Sequence, residues 1–153
     1  MIRYWTSDLH FGHANIIKYC NRPISIKENI DENNNWLSRE DAISAAIKMD
    51  DFLLKKINSR VKPEDIVCHV GDFMNRGKCK SIQGTSNKFI YYLEKLNGTW
   101  TLLEGNHDKN NSVKPIGSSM FVKISQYTAF VSHYPIENET IYNKEFLRYI
   151  TTY

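Results

Sequence analysis

Four short clusters of polar residues, each directly after a run of residues that favours a β-strand, constrain this chain more than any other feature of its sequence. The clusters are Asp8-Leu9-His10, Gly71-Asp72, Gly105-Asn106-His107-Asp108 and Ser132-His133. In α/β sheets, active sites lie beyond the carboxyl ends of the strands. We therefore expect the first three clusters, and with them the fourth, to meet at one edge of a sheet.

The order of the other elements predicts an α/β fold with helices on both faces of the sheet. Runs with β character cover residues 2–6, 66–70 and 99–103, and residues 120–124 and 128–131 suit a hairpin or two adjacent strands. Helical patterns cover residues 14–20, 38–60 and 86–97, and the tail 138–153 is a candidate terminal helix. No repeat or internal boundary interrupts the chain, so we expect a single domain over residues 1–153.

Composition and charge place few limits on the partner. The net charge of +3 suits an anionic substrate without establishing nucleic-acid binding, and no apolar run is long enough to span a bilayer. The N-terminal residues read as a strand and not as a signal peptide. Cys20, Cys68 and Cys79 lack the close pairing of a zinc site. We expect free thiols and a cytoplasmic protein.

The residue types in the four clusters predict a metal centre. Aspartate, asparagine and histidine are hard or borderline ligands, which suit Mn²⁺, Fe²⁺, Zn²⁺ or Ni²⁺. Asp8 and His10 lie two residues apart on a segment expected to be extended, so both side chains can point to one side. Asp72 has two carboxylate oxygens and can bridge two ions. Two metals about 3.5–4 Å apart can hold a hydroxide and clamp an in-line displacement at phosphorus.

Four further histidines and one asparagine bear on this centre. Asn106 offers a carbonyl oxygen and His133 an imidazole nitrogen, whereas His107 adjoins a ligand without having to point at the metal. That position makes His107 a candidate general acid for the leaving oxygen. His13 lies on a loop, where packing against the wall of the site and contact with substrate are equally good interpretations. His69 lies inside a predicted strand and is read as a structural or ligand-supporting residue.

At these motifs the chain resembles the calcineurin-like metallophosphoesterases, and residues 7–17 look particularly like small bacterial and phage members. The resemblance runs from the first strand to about Pro135. It implies a four-layer α/β/β/α sandwich with a dinuclear metal centre, in which His107 is the proton donor. The implied ligands are Asp8, His10 and Asp72 for one metal and Asp72, Asn106 and His133 for the other.

Residues 71–77 also resemble the Gly-Asp-x-x-Asp-Arg-Gly element of that family. Arg76 falls on the position whose guanidinium grips phosphate, a role that suits a bidentate cation. Asn75 replaces the acid that would orient the catalytic histidine. Either Asp108 takes over that role as a second catalytic residue, or His107 is less well tuned.

The chain departs from the family's pattern after His133. The family completes its site with a Gly-His-x-His segment, but no histidine follows His133 here. The site is therefore short of up to two ligands, and we expect a fold that is shortened at its C-terminus. Water, Glu137, Glu139 or a second copy of the chain in a homo-oligomer are the alternatives that could fill the gap. The missing histidines can be explained by natural shortening of the protein, by truncation or by completion of the site from another subunit. We favour natural shortening or truncation over completion by another subunit.

The sequence thus predicts a cytoplasmic, metal-dependent phosphoesterase that acts on a phosphodiester or phosphomonoester, with a nucleotide or nucleic acid as the favoured substrate and Mn²⁺ as the favoured metal. The rival prediction is a degenerate member of the family that binds a phosphate ligand or a protein partner without turnover. The missing histidines favour the rival, whereas the intact Asn106-His107-Asp108 favours the enzyme.

Overall fold

The structure is a computed structural model that describes residues 1–75, 89–109 and 113–135. Its elements are β1 (Arg3–Thr6), α1 (Ala14–Tyr19), α2 (Arg39–Asn58), β2 (Ile66–Val70), α3 (Phe89–Leu93), β3 (Thr99–Leu103), β4 (Ser119–Ile124) and β5 (Tyr127–Ser132). The predicted terminal helix, Arg76, Cys79, Glu137 and Glu139 lie outside the described residues. Cys20 and Cys68 carry free thiols.

A parallel sheet of three strands determines where the polar clusters lie. Its order is β1-β2-β3, and the register places Thr6 beside His69 and His69 beside Leu102. Because the strands are parallel, their carboxyl ends share one edge, and the first three clusters follow at that edge. The predicted mixed α/β fold and its three parallel-sheet strands are confirmed.

The predicted hairpin is also confirmed and carries the fourth cluster. Strands β4 and β5 pair antiparallel, with Ser119 opposite Ser132. An isolated bridge joins Leu103, at the end of β3, to Gly117, just before β4. The end of β5 is thereby brought next to the end of β3, and His133 follows directly.

Helix α2 begins where the sequence predicts. Ser38 caps it by accepting a hydrogen bond from the backbone N–H of Asp41 at 3.0 Å. Acidic residues in the first turn and lysines in the last turn suit the helix dipole. The helix buries Ala45, Ala46, Met49, Asp50 and Leu54. Among the described residues, no helix combines the length and apolarity needed to cross a bilayer.

The hydrophobic core lies directly beneath the loops that carry the polar clusters. Phe11 and Phe73, each one residue beyond a predicted ligand, are fully buried. The Phe11 ring stacks on Tyr92 of α3 at 4.3 Å between centroids, and it lies 5.3 Å from the Phe73 ring. Burying a large aromatic ring removes a large apolar area from water. The loops are therefore anchored by their own apolar residues.

His69 is a core residue of β2. Its side chain is fully buried, and neither ring nitrogen has a hydrogen-bond partner among the described residues. Burial lowers the pKa of His69 to about 3, so the ring is neutral. It packs edge-on against Phe73 at 5.2 Å between centroids. These contacts agree with the structural interpretation of this histidine.

Asp50 is a buried carboxylate of α2 that holds the first loop. Its two oxygens accept the backbone N–H of Gly12 at 3.0 and 3.1 Å, and Oδ2 also accepts the Tyr92 hydroxyl at 2.8 Å. Gly12 has a φ of 74°, which favours glycine. Burial raises the pKa of Asp50 to about 7, although these hydrogen bonds and Arg22 oppose the shift.

The raised pKa of Asp50 predicts a measurable pH dependence of stability. The native state keeps the Asp50 proton up to about pH 7, whereas an unfolded aspartate releases it near about pH 4. Between these values the native state binds more protons, so the free energy of unfolding falls as pH rises. In Asp50→Asn this fall should disappear, leaving a flatter profile in urea unfolding measured from pH 4 to pH 7.

Asp51→Asn is the matched control, because Asp51 is the exposed neighbour of Asp50 on the same helix. It should keep most of the fall in the free energy of unfolding, because burial is the main cause of the raised pKa of Asp50 and the charge of Asp51 is a smaller one. If Asp50→Asn and Asp51→Asn gave the same profile, the buried carboxyl would not be the source of the pH dependence.

Candidate metal centre

The structure brings the polar clusters together around the Asp72 carboxylate, as the strand order predicts. Asp72 Oδ2 lies 3.5 Å from His10 Nε2, 3.6 Å from His133 Nε2 and 3.9 Å from His107 Nε2. The Asp72 side chain is only 5% exposed. One carboxylate oxygen therefore faces three imidazole nitrogens that come from three different loops.

Two groups of possible ligands share Asp72. One group is His10, Asp72 and His107, and the other is Asp8, Asp72 and His133, with the ligand atoms of each group within 4.8 Å of one another. This grouping differs from the implied one, which placed Asp8 with His10 and left His107 outside. Asp72 is common to both groups, which is the arrangement that a bridging carboxylate requires.

The predicted extended geometry of Asp8 and His10 is wrong. Both residues adopt the left-handed backbone conformation, with φ of 55° and 52°, and Asp72 does the same with φ of 59°. The turn is held by backbone hydrogen bonds from Asp8 N to Gly71 O and from His10 N to Asp72 O. The side chains converge because the chain turns, with Asp8 Oδ1 3.8 Å from His10 Nε2. Such strained residues cluster at functional sites.

Gly71 and Gly105 are required by the close approach of site side chains. A Cβ atom at Gly71 would lie 2.6 Å from ring atoms of His133, and one at Gly105 would overlap Asp72. Gly71 also has a φ of 83°. The left-handed turn therefore favours glycine at position 71, and the side chains of His133 and Asp72 fill the space that a Cβ atom would need at positions 71 and 105.

Asp108 ties two of the loops together through the backbone. Its carboxylate accepts N–H groups from Asp72 at 2.7 Å, Phe73 at 3.0 Å and Gly105 at 3.0 Å. Burial raises its pKa, and these hydrogen bonds oppose the rise. With both oxygens engaged in this way, Asp108 is placed to support the loops. A catalytic role for it gains no support from these contacts.

His107 is placed by two contacts from the loop that follows β2. Its backbone N–H donates to Asp72 Oδ1 at 2.9 Å, and its ring Nδ1 lies 3.4 Å from Asn75 Nδ2. The amide of Asn75 thus takes the position beside the ring that the family motif gives to an acid. The sequence left two alternatives, that Asp108 orients His107 or that His107 is less well tuned. The neutral amide beside the ring favours the second.

His13 packs against the site histidines. Its Nδ1 lies 3.3 Å from His10 Nδ1, and its ring centroid lies 5.6 Å from that of His107. Burial, followed by the neighbouring His10, lowers the pKa of His13 to about 4. The ring is therefore neutral near pH 7, and it can donate through only one of its two nitrogens.

The orientation of His133 gives a physical reason for a cation at this place. Its Nδ1 lies 2.9 Å from the carbonyl oxygen of Val70, which can only accept, so Nδ1 carries the hydrogen. In the neutral ring, Nε2 then presents a lone pair 3.1 Å from Asn106 Oδ1 and 3.6 Å from Asp72 Oδ2. These three atoms face one another, an arrangement that either a proton on Nε2 or a metal ion between them stabilises. The donor set therefore fits a divalent metal.

Two residues that the sequence analysis did not assign to the site contribute to it. Asp50 holds Gly12 from α2, and Arg22 donates to the carbonyls of Asp8 and Leu9. An acid on the apolar face of α2, four residues after Ala46, was a signal that could have marked Asp50. Nothing in the spacing of Arg22 marks it, because it acts on backbone atoms that carry no sequence signature.

Comparison with known proteins identifies a family and two related proteins. The family model for calcineurin-like phosphoesterase matches residues 4–152. The uncharacterised protein MJ1445 of Methanocaldococcus jannaschii is 39% identical over 107 residues, which cover 69% of this chain and 46% of that protein. The chain thus spans less than half the length of this relative.

A solved structure shares the fold. The crystal structure of AQ665, a protein of unknown function from Aquifex aeolicus, matches with a TM-score of 0.58 at 23% identity, covering 95% of this chain and 74% of that chain. At this level of identity the likeness supports the fold alone.

The close approach at Gly71 predicts the effect of adding one methyl group there. In Gly71→Ala the new Cβ meets the His133 ring, and the backbone must hold an alanine at a φ of 83°. We expect a loss of about 1–3 kcal/mol in the free energy of unfolding of the metal-free protein, together with weaker Mn²⁺ binding. Urea unfolding and calorimetric titration measure the two effects.

Gly117→Ala is the matched control for this substitution. A Cβ atom there would have its nearest neighbour at an ordinary 3.5 Å. This variant should bind Mn²⁺ like the unmodified protein. Equal metal affinity in Gly71→Ala and Gly117→Ala would contradict the role assigned to the contact between Gly71 and His133.

Proposed function

Since the chain belongs to the calcineurin-like phosphoesterase family, for which metal-dependent hydrolysis of phosphate esters is implied, we propose that it hydrolyses phosphodiesters or phosphomonoesters with two divalent ions held around Asp72. The observation that best supports this proposal is the set of facing lone pairs on Asp72, Asn106 and His133. A cation converts their mutual repulsion into attraction.

The proposed ligands are supplied by all four polar clusters. They are Asp8, His10, Asp72, Asn106 and His133. Their hard or borderline character favours Mn²⁺, with Fe²⁺, Zn²⁺ and Ni²⁺ as alternatives. When bound, a pair of such ions supplies a hydroxide nucleophile near neutral pH and neutralises charge on the phosphoryl oxygens.

Groups next to the ligands hold them in orientation. The N–H of His107 engages Asp72 Oδ1, which leaves Oδ2 facing the histidines. The carbonyl of Val70 accepts from His133 Nδ1 and so turns Nε2 into the site. Partners of this kind fix the tautomer and position of a ligand, and their loss typically weakens metal binding. The backbone of the strand ends thus prepares the site for its ions.

His107 is the residue that we propose as general acid. Its side chain is 38% exposed, so a bound substrate can reach the ring, and Nε2 lies on the side of the ring that faces Asp72. When Asn75 Nδ2 donates to Nδ1, the neutral ring carries its hydrogen on Nε2. That hydrogen is then available to the leaving oxygen of the ester.

A second role for His107 competes with this one. The ring nitrogen also lies within ligand distance of His10 and Asp72 in a group that could hold a metal ion. If the Asn75 amide presents its oxygen to Nδ1 instead, Nε2 is free to bind the ion. In one tautomer Nε2 either carries a hydrogen or offers a lone pair to the ion, so the two roles exclude each other. Metal content in a His107 variant distinguishes them.

We propose that His13 and Arg76 contact the phosphate group. His10 faces Asp72 through Nε2, so its Nδ1 is the nitrogen left to donate to His13. The His13 ring then carries its own hydrogen on Nε2, where a substrate oxygen can accept it. Arg76, outside the described residues, is assigned by the resemblance of residues 71–77 to the family element.

The proposal also covers the substrate class, the domain organisation, the location of the protein and the source of further metal ligands. We infer a nucleotide or nucleic acid as the substrate from the resemblance to the family, and the net charge of +3 suits any anionic ester. We further infer one domain over residues 1–153 with four α/β/β/α layers, acting in the cytoplasm. Water, Glu137, Glu139 or a second copy of the chain in a homo-oligomer supplies any further metal ligands.

One observation favours a second candidate, a protein that binds a phosphate ligand or a protein partner without turnover. Residues 134–153 contain no histidine, so this part of the chain adds no imidazole ligand to the four clusters. A site with fewer imidazole ligands binds a metal ion more weakly. This candidate predicts binding of inorganic phosphate in the presence of Mn²⁺ without release of product from an ester.

The proposed proton donation predicts how His107→Ala behaves. At saturating Mn²⁺, kcat for an aryl phosphodiester should fall by about 10²–10⁴-fold, since the leaving oxygen loses its proton source. The loss should be smaller for a nitrophenyl ester than for a phenyl ester, because nitrophenolate leaves without protonation. Initial rates on both esters, with metal content by mass spectrometry, test this.

The outcomes separate the candidate roles. An unchanged metal content with the expected loss of kcat supports general acid catalysis. Loss of one ion in His107→Ala would make the residue a ligand and would contradict the proposed role. An unmodified protein that binds Mn²⁺ but hydrolyses neither aryl diesters nor aryl monoesters would favour the protein without turnover.

A further inference from the structure

Arg22 follows helix α1, where the chain turns back toward the loop that precedes this helix. Helix α1 ends at Tyr19, after which Cys20 N donates to Ile16 O and Arg22 N donates to Ile17 O. Asn21, between them, adopts a left-handed conformation with φ of 45°. This helix end reverses the chain and brings the half-buried Arg22 beside the loop that precedes α1.

The guanidinium of Arg22 holds two successive carbonyl groups of that loop. Nη1 donates to Leu9 O at 2.9 Å and Nη2 donates to Asp8 O at 2.5 Å. The planar fork of arginine suits two acceptors at a fixed spacing, whereas the single ammonium of lysine cannot reproduce that geometry. The contact spans 14 positions of the sequence in one case and 13 in the other.

These carbonyls belong to the turn that aims Asp8 and His10 at Asp72. Asp8 and His10 both have positive φ, a conformation that persists in such residues only when surrounding contacts enforce it. The Asp8 N–H is held by Gly71 O, and its carbonyl is held by Arg22. Both backbone groups of Asp8 are therefore fixed. The loop after β2 holds its N–H, and Arg22 holds its carbonyl oxygen.

The charge of Arg22 argues against a direct electrostatic benefit to the metal. The guanidinium donates to the carbonyl oxygen of Asp8, a proposed ligand, so its positive charge lies close to the proposed metal centre. A fixed positive charge there opposes the binding of a divalent cation. If charge were its only effect, removing Arg22 would strengthen metal binding. Its hydrogen-bond geometry must outweigh that cost for the arginine to favour the site.

We propose that Arg22 is a positioning residue of the metal centre, whose fork holds the Asp8–His10 turn in its ligating conformation and thereby sets metal affinity. This inference rests on the proposed function only in requiring that Asp8 and His10 bind an ion. It requires no contact between Arg22 and substrate.

Calorimetric titration of metal-free protein with Mn²⁺ tests the proposal in Arg22→Lys and Arg22→Gln. Both variants lose the fork, and only Lys keeps the charge. We expect both to bind Mn²⁺ about 10–100-fold more weakly, the range typical for loss of a group that orients a ligand. Arg60→Lys, at an exposed position after α2, is the matched control and should bind like the unmodified protein.

Activity measurements distinguish a positioning role of Arg22 from a direct contact between Arg22 and substrate. If Arg22 positions ligands, kcat of Arg22→Lys on an aryl phosphodiester should recover as Mn²⁺ is raised, and KM at saturating Mn²⁺ should be unchanged. A raised KM that persists at saturating Mn²⁺, with unchanged metal affinity, would make Arg22 a substrate-binding residue and overturn the proposal. Urea unfolding of the metal-free variants checks that the fold is kept.

Two further outcomes would overturn it and are distinguishable from failure of the proposed function. Unchanged Mn²⁺ affinity in Arg22→Lys would show that the fork does not set metal affinity. Tighter binding in Arg22→Gln would show that the charge of Arg22 has the larger effect. Absence of Mn²⁺ binding by the unmodified protein would instead reject the metal centre itself, and this inference with it.

Discussion

The position of the Asp72 carboxylate is the constraint on which the arrangement of the site depends. Its Oδ1 is held by the backbone N–H of His107, and its Oδ2 faces imidazole nitrogens of His10, His107 and His133. Gly71 and Gly105 lack side chains because His133 and Asp72 fill the space that a Cβ would take. A buried carboxylate is costly unless hydrogen bonds or a positive charge compensate for its burial.

The loops around Asp72 are joined to one another and to the core, so the site is prepared before any ion binds. Asp108 connects the loop after β2 to the loop after β3 through three backbone N–H groups. Phe11 and Phe73 anchor the same loops in the core. Such preparation reduces the entropy that ligand ordering would otherwise cost at the moment of binding. The structure thus links apolar packing directly to the proposed chemistry.

Within the described residues, the sequence predicted the strands, helices α1 and α2 and the meeting of the clusters, because these follow from simple periodicity and from the shared edge of parallel strands. The helix predicted to end near residue 97 ends earlier, at Leu93. The sequence could not predict the left-handed turn at Asp8 and His10, since residues other than glycine rarely adopt positive φ and nothing in the local sequence requires it. The roles of Asp50 and Arg22 also escaped it. Both side chains bind backbone atoms of a distant loop, and backbone atoms are identical for every residue type.

The most direct test of the account is the number of ions bound by Asp72→Ala. After equilibration with Mn²⁺ and gel filtration at a fixed free metal concentration, mass spectrometry gives ions per chain. The account predicts two ions in the unmodified protein and in the exposed-site control Asp51→Ala, and loss of both in Asp72→Ala, because one carboxylate serves both positions. Retention of either ion with unchanged affinity in Asp72→Ala would contradict a centre bridged by this residue.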